Sequence, residues 1–165
     1  MRRNWIGSAF LLVVVALLIV RPWEGVESGP AAATVPVTRV VDGDTIEVRI
    51  DDVVEDVRLI GIDTPETVKP GAPVECFGHR ASDFTSRLLE GRRVRLVFGA
   101  ERRDHYGRLL SYVHRDGRFV NAILVRRGLA RTLTVPPNDR HAELLRRLEI
   151  GAARRGRGLW GSCRP

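Results

Sequence analysis

The 165-residue sequence predicts an α+β fold in which a small β-barrel carries about three α-helices. Three observations lead to this class. Segments with the period-two alternation of β-strands lead the domain, segments with a helical period are interspersed later, and both fit into roughly 130 residues. A count of about five strands and three helices is satisfied by a five-stranded barrel of the oligonucleotide-binding (OB) type with attached helices.

The strands are predicted from β-branched residues and from alternation. Ile46, Val48 and Ile50 share one face of residues 45–50, as in a half-buried strand. A turn at residues 51–52 returns the chain as a hairpin. The predicted strands are residues 37–41, 45–50, 53–62, 93–98 and 108–114, and a turn at residues 116–117 leads into Phe119.

The helices are predicted from apolar residues that recur on one face. One helix covers residues 77–89 and ends at Gly91, and a shorter one covers residues 120–127 and is closed by Gly128. A final helix follows two prolines and is expected to be capped by Asn138 or Asp139. Its expected apolar stripe is Leu144, Leu145, Leu148 and Ala152, and Trp160 is expected to anchor the chain end in the core.

Residues 1–21 predict a signal anchor or signal peptide, because Arg2 and Arg3 precede an apolar run. The run is shorter than the ~20 residues of a spanning helix, but no small-residue cleavage site follows it directly. We favour an uncleaved anchor that leaves the domain facing outside, with cleavage and secretion as the alternative. Residues 22–35 predict a flexible linker, and residues 36–165 predict one domain, expected to be monomeric.

The net charge of +7 and the sequence pI of about 10.8 fit a polyanionic partner such as nucleic acid, or an anionic membrane surface. Only Lys69 among the 27 basic residues is a lysine, so the charge reflects genome composition as well as binding. Cys76 and Cys163 predict a disulfide if the chain is exported, and two buried free thiols otherwise.

Acidic residues mark the ends of the first predicted hairpin. Asp44 begins one strand and Asp63 follows its partner, so antiparallel pairing brings the two carboxylates together. With the main-chain carbonyl of Thr64, they suit a hard cation such as calcium, whereas no Cys/His spacing suits zinc. The alternative is that Asp42 and Asp44 are ordinary turn residues beside Gly43.

Arg58 and Arg108 match phosphate oxygens, because a guanidinium donates two parallel hydrogen bonds and stays charged. Glu66 follows the predicted hairpin and is available, when ionised, as a base that activates water. Each residue also has a plain interpretation, as a surface arginine or as a loop glutamate. The combination with the carboxylates favours phosphodiester hydrolysis.

Four segments carry a family resemblance: V-D-G-D-T, R-L-I-G-I-D-T-P-E, D-H-Y-G-R-L-L and V-R-R-G-L-A-R, in this order. Over roughly residues 36–161 the sequence resembles the staphylococcal nuclease (thermonuclease) family, as an exported bacterial member. The resemblance implies an OB barrel with three helices, and calcium-dependent cleavage of DNA or RNA by water that leaves a 3′-phosphate. It implies these roles: calcium ligands Asp44, Asp63 and the Thr64 carbonyl; phosphate clamps Arg58 and Arg108; general base Glu66; a phosphate contact from Tyr106; and a base pocket lined by Leu59 and Leu110.

The sequence also departs from the family pattern. His105 stands where the archetype has a lysine, and is a candidate phosphate donor or an exposed loop histidine. Residues 134–137 stand where the archetype has tyrosines that stack on the nucleotide, so we expect weaker base contacts. The alternative function is a catalytically silent nucleic-acid-binding module at the cell surface.

Overall fold

The computed structural model describes residues 32–67, 71 and 73–163. The N-terminal apolar helix expected within residues 1–21 lies outside the described residues. Among the helices described, none has the length and apolar character needed to cross a membrane. The first strand begins at Ala32, so residues 32–35, which the sequence assigned to the linker, belong to the barrel.

The elements follow the predicted order, with strands first and helices later. The described strands are β1 Ala32–Val40, β2 Thr45–Ile50, β3 Val53–Leu59, β4 Gly61–Asp63, β5 Arg93–Arg103, β6 Leu109–Arg115, β7 Arg118–Phe119 and β8 Arg131–Leu133. The described helices are α1 Gly78–Leu89, α2 Val120–Arg127, α3 Ala142–Arg154 and the short α4 Leu159–Ser162.

Five strands close into a barrel, which confirms the predicted fold class. The sheet order is β3-β2-β1-β5-β6, and a parallel pairing between β3 and β6 closes it. In that pairing Arg58 lies opposite Leu110. The interior is filled by alternating apolar side chains such as Ile46, Val48 and Leu96, each fully buried. The barrel therefore holds Arg58 of β3 beside the start of β6.

The predicted strand at residues 53–62 is divided in two by a bend. β3 ends at Leu59, and β4 leaves the barrel to pair with β8, with Gly61 opposite Leu133. Gly61 has a φ of 81°, a conformation that glycine adopts without strain. The buried Asn121 side chain donates to the carbonyl of Ile60 at 2.8 Å, which satisfies a backbone group that the bend removes from the sheet.

The predicted cap of the last helix is wrong. α3 begins at Ala142 after His141, and no side chain caps it. Asn138 instead bonds both backbone groups of Glu101: its Oδ1 accepts the amide N–H and its Nδ2 donates to the carbonyl, each at 3.0 Å. Asn138 therefore ties the loop before α3 to the barrel strand β5, which sequence position alone does not reveal.

Two further packing expectations need correction. Leu144 is 39% exposed, so the buried stripe of α3 is formed by Leu145 and Ala152 with the half-buried Leu148. At the chain end the core residue is Leu159, at 2% exposure, whereas Trp160 is only half-buried and lies under the guanidinium of Arg131.

The disulfide between Cys76 and Cys163 is present, with a sequence separation of 87 residues. It joins the segment just before α1 to the residue just after α4. The C-terminal segment is thereby fixed to the body of the domain.

Candidate active site

Two carboxylates at one mouth of the barrel, those of Asp44 and Asp63, are joined through Arg58. Its Nη2 lies 3.2 Å from Oδ2 of Asp44 and 3.0 Å from Oδ1 of Asp63. The hairpin register explains this, because Thr45 of β2 lies opposite Arg58 of β3 and Asp44 is the preceding residue. The bend at Gly61 then brings the end of β4 back to the same mouth.

Asp44 is the buried member of this group, at 4% exposure. Its Oδ2 accepts hydrogen bonds from the backbone N–H of Thr64 at 2.6 Å and from the Thr64 hydroxyl at 3.0 Å. Burial above all raises the pKa of Asp44 from 3.8 to about 7, against the opposing effect of the Arg58 guanidinium. Burial thus disfavours the ionised form of Asp44, and a bound cation would stabilise that form.

The turn before β2 is built for this placement. Asp42 accepts the backbone N–H of Asp44 at 3.0 Å, the turn role that the sequence left open for both residues. A Cβ on Gly43 would meet the Thr64 side chain at 2.7–2.8 Å, so the close approach of Thr64 to Asp44 requires glycine there. Asp42 is therefore a turn residue, whereas Asp44 faces the site.

Arg58 is fixed as well as paired. Its Nη1 donates to the carbonyls of Leu59 at 2.7 Å and Ile62 at 2.9 Å, the two sides of the bend. The side chain is 14% exposed. Its remaining donors face the carboxylates and the cavity beside them, and its orientation is set by the backbone before any ligand binds.

The donor set fits a hard cation that is bound by few protein ligands. Asp44 and Asp63 present carboxylate oxygens on either side of one guanidinium nitrogen, which supplies positive charge at this point of the site. Among the described residues, no cluster of three or more His, Cys, Asp or Glu side chains forms a metal centre. Two carboxylates would need water and substrate oxygens to complete a calcium shell, and a site with so few protein ligands would bind weakly.

A cavity of about 400 Å³ opens beside these residues. Arg58 and Arg108 both line it, which brings the two predicted phosphate-binding arginines together. Ile60 and Leu110 provide apolar surface, and His105 lies at the edge. Two guanidinium groups and several apolar side chains thus line one cavity, together with two carboxylates. A phosphate attached to a nucleoside needs both a cationic and an apolar contact.

Asp104 holds Arg108 in place, a role that the sequence analysis missed. Its Oδ2 accepts the Arg108 Nε at 2.8 Å and lies 2.7 Å from Nη2, while Oδ1 accepts the backbone N–H groups of Tyr106 and Arg108. Burial alone would raise the pKa of Asp104, but these hydrogen bonds lower it below 3.8. The spacing of an acid four residues before an arginine, across a turn with Gly107, was the available signal.

Of the other residues expected to contact the substrate, some lie at the cavity or its rim and one lies in the core. Tyr106 is 72% exposed at the rim, its ring centroid 3.8 Å from that of His105. Leu110 lines the cavity as expected. Leu59 does not, because its side chain is 0% exposed in the barrel core, and the neighbouring Ile60 faces the cavity instead. The strand alternation reverses at the bend, which the unbroken predicted strand concealed.

Glu66 lies in the loop after β4, outside the lining of the cavity. Its carboxylate accepts the backbone N–H of Thr67 at 2.8 Å, and its own N–H donates to Glu75 at 3.2 Å. It is two positions after Thr64, a reach of at most about 7 Å along the chain. It is thus near the mouth, on a different segment from the two arginines.

Fold and site together define an OB-barrel protein with a cleft at the barrel mouth that two arginines line. Residues 56–162 match the family model described as staphylococcal nuclease homologue. The chain is 37% identical to the thermonuclease of Staphylococcus intermedius over 166 residues, covering 97% of this chain and 99% of that protein. It is also 37% identical to the thermonuclease of Staphylococcus hyicus, covering 95% and 98%.

A third relative, the SPbeta prophage-derived endonuclease YokF of Bacillus subtilis, is 40% identical over 128 residues, 76% of this chain and 43% of that protein. The chain belongs to the staphylococcal nuclease family, as its motifs predicted, and is a nuclease that acts on nucleic acid. Its disulfide and its likeness to thermonucleases indicate an extracellular protein.

Proposed function

We propose that the protein is a calcium-dependent nuclease that hydrolyses phosphodiester bonds of DNA or RNA at this cleft and leaves 3′-phosphates. The observation that carries the proposal is the bridging of Asp44 and Asp63 by Arg58 next to a cavity that also holds Arg108. The two carboxylates that would hold the cation and the two arginines that would bind the phosphate thus lie around one cavity. The family membership supports the chemistry.

Asp44 and Asp63 would hold the calcium ion, together with the Thr64 carbonyl. When bound, the ion supplies positive charge against the phosphate oxygens. It also offsets the buried charge of Asp44, whose raised pKa reflects that need. Arg58 is then free to turn its Nη2 from the carboxylates to the substrate, while its Nη1 stays on the backbone.

The protein's own groups divide the hydrolysis between them. Arg58 and Arg108 clamp the scissile phosphate and neutralise the charge that grows on its oxygens. Glu66 removes a proton from the attacking water, or orients that water, from the loop beside the mouth. The bond from phosphorus to the 5′-oxygen breaks, and the phosphate stays on the 3′-oxygen. Asp104 keeps Arg108 oriented through this step.

Substrate contacts beyond the phosphate are less aromatic than the family pattern implies. Tyr106 and His105 form the exposed rim, where they would meet the neighbouring phosphate. The side chains that line the cavity from the 133–135 loop are Leu133 and Val135, both partly exposed. Aliphatic side chains cover a base without stacking on it, so we expect modest affinity and little base preference.

We further propose that the protein works outside the cytoplasm, held to the membrane by its N-terminal segment or released from it. Weak calcium affinity is suited to a compartment where calcium is abundant. The disulfide that joins Cys76 and Cys163 suits the same compartment.

The test is digestion of single-stranded DNA and of RNA by the purified protein, with calcium and with a chelator. The proposal expects cleavage only with calcium, and products that a phosphatase converts to free 3′-hydroxyl ends. A mobility shift of the same substrates without cleavage under either condition would support the silent binding module instead.

A further inference from the structure

The groove between α1 and α2 concentrates positive charge away from the cleft. Two adjoining hollows of about 800 and 620 Å³ share Phe84, Arg126 and Arg127 in their lining. One of them is lined as well by Arg80, Arg87 and Arg157, the other by Arg118. Asp83 is the one acidic residue among all these lining residues.

The six arginines of this groove are exposed and have no carboxylate partner among the described residues. The ion pairs of the described chain instead engage other arginines, such as Arg39, Arg103 and Arg146. Six guanidinium groups around one concave surface repel one another unless an anion lies between them. Their placement therefore has no explanation in internal pairing.

The floor of the groove is aromatic. The guanidinium carbon of Arg80 lies 5.1 Å from the ring centroid of Phe77, and that of Arg127 lies 4.8 Å from the ring centroid of Phe84. A guanidinium held over an aromatic ring can contact a phosphate and can also stack on a base, so arginines next to rings are a surface that binds single-stranded nucleic acids. A flat lipid headgroup layer would not reach into a concave groove of this kind.

One end of the groove lies beside the loop that carries Glu66. Gly78, the first residue of α1, lies so close to the loop after β4 that a Cβ there would meet the carbonyl of Glu66 at 2.9 Å. The disulfide at Cys76 fixes the C-terminal segment with Arg157 to this same end. From there α1 runs for 12 residues, about 18 Å, or roughly five nucleotides at the ~3.4 Å spacing of a stacked strand.

We propose that this arginine groove is a second nucleic-acid site, which holds the substrate strand after it passes the cleft. The inference rests on the proposed nuclease function and extends it: the enzyme prefers long single strands, because only these occupy cleft and groove together. Avidity between the two sites offsets the modest base contacts of the cleft.

The experiment compares two triple variants with equal charge. The groove variant is Arg80→Gln, Arg87→Gln and Arg126→Gln. The control variant is Arg49→Gln, Arg92→Gln and Arg95→Gln, three exposed arginines outside the groove lining. Each reduces the net charge of +7 by three. Binding of labelled oligonucleotides of about four and about 20 nucleotides is measured by anisotropy in chelator, across a range of salt.

The groove variant should bind the long strand more weakly, and its plot of log affinity against log salt should be shallower by about 2, from roughly 0.7 per lost phosphate contact. The ratio of the parent's affinity to that of the groove variant, for the long strand, then falls roughly 20-fold between about 50 and about 200 mM salt. The short strand cannot occupy cleft and groove together, so its affinity should differ much less among the three proteins. The control variant should keep the parent's slope for the long strand.

Equal losses in the two variants would overturn the proposal, because only total charge would then matter. So would a groove variant that keeps long-strand binding but loses binding to vesicles with anionic lipid, which would make the groove a membrane contact. The assay measures binding and not cleavage, so a protein that does not cleave can still show weaker long-strand binding in the groove variant. A parent that binds neither oligonucleotide in chelator refutes the groove, whereas the proposed function is tested separately by digestion with calcium.

Discussion

Replacing Arg58 by alanine should lower both stability and activity. Replacing Asp44 by asparagine in the same variant should restore much of the stability but none of the activity. Arg58 is the partner of a carboxylate that is 4% exposed, and its Nη1 also satisfies two backbone carbonyls at the bend. Removal of one partner from a buried ion pair costs about 3–5 kcal/mol. Asp63 is largely exposed, so Asp44 bears most of that cost.

The prediction is therefore a loss of about 3 kcal/mol or more in the unfolding free energy of Arg58→Ala. Adding Asp44→Asn to that variant removes the unpaired charge, and should recover a large part of the loss while cleavage stays absent. The assay is urea unfolding at about pH 9 in chelator. This pH is set well above the Asp44 pKa of about 7 in the parent, because loss of the Arg58 guanidinium raises that pKa further. Arg108→Ala, at the other side of the cavity, is the control. Its partner Asp104 is less buried than Asp44, with 14% against 6% of the side chain exposed, and keeps two backbone N–H donors.

Two results would refute this reasoning. If Arg58→Ala unfolds at the parent's urea midpoint, the pairing with Asp44 contributes nothing. If the losses of the two single variants simply add in the double variant, the residues do not act as a pair.

Three other predictions follow from the same structure. Glu66→Gln should lower the cleavage rate by about 100- to 10,000-fold without moving the unfolding midpoint; a near-parental rate would exclude Glu66 as the base. Joint replacement of Cys76 and Cys163 by alanine should cost about 4 kcal/mol of unfolding free energy in oxidising buffer, whereas equal stability of parent and variant there would contradict a stabilising bridge. Burial lowers the pKa of His114 and His141 below 6.5, so the unfolded chain binds protons first. The parent should therefore lose stability, relative to a variant with phenylalanine at both positions, as the pH falls through about 6.5; parallel pH profiles would contradict this.

The barrel could be predicted from the sequence because its strands have a regular signal. Ile46 and Val48 alternate with polar residues, and the turn after them leaves one pairing for the hairpin. The closing contact of β3 with β6 joins residues far apart in the chain, with Arg58 opposite Leu110. No local pattern shows that contact, and it places the two arginine motifs at one cavity.

The errors arose where tertiary contacts decide. Leu59 and Ile60 exchange faces at the bend, because the chain leaves the barrel there to pair with β8. Asn138 is a residue type that often caps helices, but its side-chain amide forms both of its hydrogen bonds with the backbone of Glu101 instead. Asp104 stands in the D-H-Y-G-R-L-L segment but was passed over, because its role is to position Arg108 through contacts that only the structure shows.

The groove changes how the basic character of the chain is understood. From composition alone, the excess of arginine was as well explained by genome bias as by binding. In the structure, six guanidinium groups without a carboxylate partner among the described residues surround one concave surface, and Arg127 lies above the ring of Phe84. Distribution, rather than total charge, is the evidence for a nucleic-acid contact.

The central claim is that Asp44, Asp63, Arg58 and Arg108 act on one phosphate around one ion. A crystal structure with calcium and a nucleoside bisphosphate tests it most directly. The account predicts calcium bound by the carboxylates of Asp44 and Asp63, and a phosphate in the cavity that contacts both arginines. Calcium bound elsewhere, or a phosphate that contacts neither arginine, would contradict it.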